Sequence, residues 1–165
     1  MPYVQRDEAG KVSGRFANPQ PGFAEEWLDD NHPELHPSAQ EQAERLHAAQ
    51  TAQINAGCEA TISAGFLSSA LGAPHQYSSQ LDDQLNLTGA ILRGLDMPYA
   101  CRDEQGAKAF RLHTAEQLRQ VGDDFTLYKL QLLQHANELK QQLDLALAAA
   151  DAEAMLAITW EGAGS

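Results

Sequence analysis

Thr114 to Ala150 reads TAEQLRQVGDDFTLYKLQLLQHANELKQQLDLALAAA. Thr114 followed three residues later by Gln117 is a capping-box pattern, in which the two side chains satisfy free N–H groups at the start of a helix. From there Leu118, Val121, Phe125, Tyr128, Leu132, His135, Leu139, Leu143, Ala146 and Ala150 recur at steps of three and four. That period lays an apolar seam along a long amphipathic helix. Gly122 weakens the helix interior, and Asp123 with Asp124 suits the first turn of a restarted helix, so a kink is expected there. The seam's expected partner is a helix earlier in the same chain, packed antiparallel. Leu127, Leu130, Leu133 and Leu145 fall off the seam. The surplus apolar side predicts contact with another chain, either in a homodimer or with a client.

Working upstream, Ser38 with Glu41 is a second capping box, and it predicts a helix to about Ala56, ended by Gly57. Beyond Cys58, Ile62, Ala64 and Phe66 alternate with Thr61 and Ser63, which reads as a strand, and Leu71 to Pro74 supplies a turn into an extended stretch at His75 to Tyr77. Ser79 is the expected cap of a helix over Gln80 to Arg93, with Leu81, Leu85, Thr88 and Leu92 on its apolar face and Gly94 at its end. A phrase then repeats: MPYVQRDEAGK from Met1 to Lys11 returns as MPYACRDEQGAK from Met97 to Lys108. Each copy reads as a β-hairpin, with Gly10 or Gly106 supplying the positive φ of a tight turn. Between the first copy and the first helix, Ala17 to Pro37 holds four of the seven prolines, which discourages regular structure. Phe23, Trp27 and Leu28 anchor this arm on a surface of its own domain or of a partner. The expectation is an α+β protein with short hairpins on about three helices, divided into a hairpin and arm over 1–37 and an α+β domain over 38–165.

Composition narrows the function. The chain has 165 residues, enough for one domain with an appendage, and 43% of them are hydrophobic, so a substantial core is available. Eleven basic against twenty-three acidic residues give a net charge of −12, which repels nucleic acid and anionic lipid. No run of about 18 apolar residues suggests a membrane span, and no charged leader precedes an apolar run, so a cytoplasmic protein is expected. Cys58 and Cys101 match no redox spacing and are expected to be buried free thiols.

One residue string carries more. Cys58, Ile62, Gly65, Phe66, Ser68, Leu71, Gly72, His75, Tyr77, Asp83, Gln84, Asn86 and Leu87 stand in the order Cys, Thr/Ile alternation, Gly-Phe, Ser-Ser-Ala-Leu-Gly, His-x-Tyr, Asp-Gln-x-Asn-Leu. His113, Thr114 and Gln117 follow, and Ile158 with Trp160 closes the pattern. The string resembles the small domain that recurs in bacteriophage and prophage tail-fibre assembly proteins. The resemblance implies an assembly chaperone in the host bacterial cell that binds the distal part of a tail-fibre protein and promotes its folding and trimerisation without ATP. It does not identify the residues that touch the fibre. The off-seam leucines Leu127, Leu130 and Leu133, with Trp27 and Trp160 as aromatic anchors, are the expected partner surface.

Other chemistries find less support. Cys58, His75, Cys101 and His113 lack the paired-ligand spacing of a zinc site. Asp82 and Asp83 are adjacent on a helix and point apart, so they do not form an acid–base pair, and Asp82 is read as a helix cap. No phosphate loop, dinucleotide fingerprint, nucleophile elbow or metalloprotease motif is present. No cofactor, metal or catalytic residue is therefore expected. A structural tail component retained in the particle and an acidic DNA-mimic inhibitor remain as alternatives, although the carboxylates are scattered through turns and caps.

Overall fold

The computed structural model describes residues 2–161; Met1 of the first hairpin phrase and residues 162–165 of the expected second unit lie outside them. The element order is β1 (Tyr3–Arg6), β2 (Val12–Phe16), β3 (Glu26–Trp27), a 3₁₀ turn (Pro33–Leu35), α1 (Ala39–Ser63), β4 (Phe66–Ser68), β5 (His75–Tyr77), α2 (Leu81–Arg93), β6 (Met97–Arg102), β7 (Lys108–His113), α3 (Ala115–Ala148) and α4 (Ala152–Ala157). Two antiparallel sheets result, ordered β2-β1-β3 and β4-β5-β6-β7. The fold is α+β, as the sequence implies, with α4 as an added short helix.

Both repeated phrases are hairpins built on one turn. Asp7 Oδ1 accepts from Ala9 and Lys11 N–H, and Asp103 Oδ1 accepts from Gln105 and Ala107 N–H. Arg6 donates to Gly10 O at 2.7 Å, and Arg102 donates to Gly106 O at 3.1 Å. Gly10 and Gly106 have φ of +79° and +80°, the left-handed region that side chains resist. The surroundings differ. The first hairpin takes β3 of the proline-rich arm as its third strand and closes a small core of Val4, Leu28 and Leu35. The arm thus lies on its own hairpin, where Arg6 pairs with Glu26 and Glu34.

The main core forms where α1 and α3 pack antiparallel, as the seam predicts. His47 meets Asp144, Asn55 meets Lys140, Cys58 Sγ contacts Leu132 O and Tyr128 OH donates to Thr61 O, so rising numbers on α1 face falling numbers on α3. Leu118, Val121, Leu132 and Leu143 are sealed from solvent along the seam. Ala150, its expected last member, lies past the helix end at φ +54°.

Several expectations are corrected. Gly57 does not end α1, which runs on to Ser63; a Cβ there would collide with the Trp160 ring, so glycine admits that side chain. The expected strand after Cys58 is helix, and strand begins only at Phe66. No new helix starts after Gly122, because α3 runs unbroken through it; a Cβ would sit 2.5 Å from Ile91 Cδ1, so the glycine is a notch in the helix. Ser79 does not cap α2: its hydroxyl donates to Ile62 O and accepts from Gly65 N–H, tying α1 to the following loop. The α2 start is held by Asp83, not Asp82, through the Gln80 N–H.

Candidate functional site

α2 carries two apolar stripes. The expected buried face of Leu81, Leu85 and Leu92 turns outward, at 75%, 66% and 82% exposed. Leu87 and Ala90 are buried instead, with Ile91 partly buried beside them. The notch at Gly122 accounts for this choice, because Ile91 fills the space that a Cβ there would occupy. α3 divides in the same way, with Leu127, Leu130, Leu133 and Leu145 between 48% and 73% exposed. Leu130 and Leu133 line a cleft of about 710 Å³ between α2 and α3, floored by Leu87, Ile91 and Phe125. A second cleft of about 400 Å³ opens where α1 joins them, lined by Cys58, Ile62, Leu81, Leu133 and Ala136.

Gln84 ties the two helices at this place. Its amide donates to Ser79 O at 2.9 Å, and its Oε1 accepts from Lys129 Nζ at 3.1 Å. Lys129 also stands 5.8 Å from the centre of the Phe125 ring.

The predicted partner residues are not all brought together. Leu130 and Leu133 face α2, whereas Leu127 lines a shallower cleft beside Leu67 and Pro74 of the β4–β5 segment. Trp27 is 46% exposed on β3, in the separate N-terminal sheet. Trp160 is packed against the main core over Gly57, lies with its ring tilted against His135 at 5.1 Å and donates to Thr61 Oγ1 at 3.1 Å, so it closes the fold and is not an open anchor. The outward leucines of α2 escaped the sequence reading because a stripe of leucines at helical spacing looks like a core face.

The motif residues are mostly structural. Phe66 stacks on Tyr77 at 5.6 Å and lies 4.9 Å from Phe125. The Tyr77 hydroxyl and His113 Nε2 are 2.8 Å apart, while His113 Nδ1 lies 2.7 Å from Arg111 O, so the sealed imidazole is satisfied at both nitrogens. Burial lowers the His113 pKa from its ordinary 6.5 and raises that of Tyr77. Thr114 caps α3 with Gln117. Gly65 and Gly72 sit in the connections around β4, and His75 Nδ1 contacts Ala73 O. Cys58 and Cys101 are buried free thiols, and burial raises the Cys58 pKa. Asn86 is exposed and lines a cleft of about 520 Å³ between α2 and β6, whose wall includes Tyr99, pushed up to about 12 by burial.

Among the described residues no three His, Cys, Asp or Glu side chains gather as a metal site. Many carboxylates serve the backbone: Asp7 and Asp103 in the hairpin turns, Glu41, Asp83 and Asp151 at helix starts. Lys11 holds Glu41 down to about 2, helped by the Ser38 N–H. No described helix is long and apolar enough to cross a membrane.

The architecture is thus that of an α+β domain with a helical hairpin over a four-stranded sheet and an outward apolar face on α2 and α3. The chain belongs to the family described as Domain of unknown function (DUF4376), whose profile matches residues 45–159. That span takes in α1 from its second turn, the larger sheet and Ile158, and leaves out the N-terminal sheet. No curated protein and no solved structure matches the chain.

Proposed function

We propose that this protein is a tail-fibre assembly chaperone of a phage or prophage. It works in the host cytoplasm and shields the distal part of an unassembled fibre until the fibre trimerises. The observation that carries the reading is the surplus apolar face. Leu81, Leu85 and Leu92 on α2, with Leu130 and Leu133 on α3, stay open to solvent although the core beneath them is complete. Leucines at such positions contribute little to the monomer's own stability, and clustered apolar surface marks a contact with another chain. The residue string from Cys58 to Leu87 gives the reading its client class through its resemblance to tail-fibre assembly proteins.

The mechanism is physical and assigns no catalytic step. Immature fibre chains expose strand edges and apolar surface that aggregate, and a strongly acidic binder masks that surface while keeping the complex soluble. Release follows when trimer closure buries the same surface more completely than the chaperone does. Co-expression with the distal part of the fibre encoded beside this chain tests the proposal. Soluble, trimeric fibre should rise, and a complex should be recovered. Equal solubility of the fibre alone, with no complex, sinks it.

A further inference from the structure

The two clefts on the α2 and α3 face adjoin along one groove, sharing Gln84, Lys129 and Leu133, with the Gln84–Lys129 hydrogen bond crossing between them. In a chain of net charge −12, all three cations of α3, Arg119, Lys129 and Lys140, line this groove, against Asp123 and Glu59. Arg119 pairs with Glu116 at 3.1 Å. The other two hydrogen-bond neutral amides: Lys129, which also faces the Phe125 ring, donates to Gln84 Oε1 at 3.1 Å, and Lys140 donates to Asn55 Oδ1 at 3.2 Å. Among the described residues neither ammonium has a carboxylate within ion-pair distance. Two ammoniums left without carboxylates beside an apolar floor are complementary to apolar side chains flanked by acids.

Resting on the reading that this chain binds a client, we propose that the groove docks an acidic amphipathic helix of the partner. Leucine-class side chains sit on the floor of Leu87, Ile91, Phe125 and Ile62, and two carboxylates meet Lys129 and Lys140. Those lysines are eleven residues apart on α3, three helical turns or about 16 Å, so the partner's acids stand about eleven residues apart if its helix runs along α3. A second copy of this chain seated groove to groove is disfavoured, because it brings like ammoniums together.

The probes are two amphipathic leucine peptides that differ only at two positions eleven residues apart, one carrying glutamates and the other lysines. Each is titrated into the full chain at about 0.15 M salt, where screening over about 8 Å leaves the local charges in control. The glutamate peptide is expected to bind roughly tenfold more tightly. Lys129→Glu with Lys140→Glu should reverse that preference, with the helical circular dichroism signal unchanged. The overall charge of −12 by itself favours the lysine peptide, so equal binding, tighter binding of the lysine peptide, or binding of neither overturns the proposal. Self-association through the groove, seen by sedimentation and abolished by the same double variant, overturns it as well. Fibre that stays soluble with the double variant as with the wild type leaves the chaperone reading standing and removes this docking site; glutamate-peptide binding without any effect on fibre does the reverse.

Discussion

Leu132 and Leu133 are neighbours on one helix, yet one is 1% exposed and the other 48%. The same division runs the length of α3, where Leu118 and Leu143 are sealed and Leu127, Leu130 and Leu145 are open. Residue type is identical; only angular position differs, because each residue advances about 100° around the helix. The inner set holds α1 and α3 together as a monomer. The outer set buries little within the monomer, and it is the surface that the proposed client would cover.

That contrast can be broken most strongly from the inside. Leu143→Ala or Leu132→Ala should cost about 3 kcal/mol, the usual penalty for a truncated core leucine, read as a lower midpoint in urea unfolding. Gly57→Ala should cost about 2 kcal/mol, because the new methyl forces the Trp160 ring off α1; Trp160 fluorescence should shift toward that of exposed indole. Unchanged stability and emission in the Gly57→Ala chain would rule out the close approach.

Tyr77→Phe should cost about 1–3 kcal/mol, since it leaves a sealed His113 nitrogen without its partner. The same histidine gives the wild type a pH dependence. Its folded pKa lies below the ordinary 6.5, so the unfolded chain binds the proton first. Stability should therefore hold above about pH 6.5 and fall as the pH drops below it, and a His113→Gln chain should lose part of that slope. The smallest effects belong to the outer set: Leu130→Ser and Leu133→Ser should each change stability by about 0.5 kcal/mol or less while weakening client capture.

Much of the architecture was legible because local chemistry and tertiary context agree. The Asp-Glu-x-Gly phrase makes the same turn at Asp7 and Asp103, although one hairpin lies over three core residues and the other inside the main sheet. The seam of α3 was legible for the same reason. Errors arose where long-range contact decides. Gly57 and Gly122 resemble breakers locally, but Trp160 and Ile91 come from far along the chain to fill the space each leaves. The extension of α1 was present in Leu46, Ile54, Cys58 and Ile62 at multiples of four, hidden by Gln50 at the intervening step. Gln50 is buried because its amide donates to Met155 O and Ile158 O, holding α4 in place, which nothing near it in sequence announces.

For the candidate site, the outer leucines of α3 were visible as a departure from the seam, while those of α2 were assigned to the wrong side. Two apolar stripes on one short helix cannot be ranked without knowing the notch that receives Ile91. Trp160 looked like a free aromatic anchor for a related reason, since a tryptophan near a chain's end carries no mark of the helix it packs on.

The outward leucines of α2 and α3 are the surface proposed to bind the client. Amide hydrogen exchange on the full chain, with and without the distal fibre segment, tests that assignment directly. Fibre should slow exchange across Leu81–Arg93 and across 119–140 and leave the N-terminal sheet unchanged. Protection confined to the N-terminal sheet or to β7, with α2 and α3 exchanging as in the free chain, would contradict it.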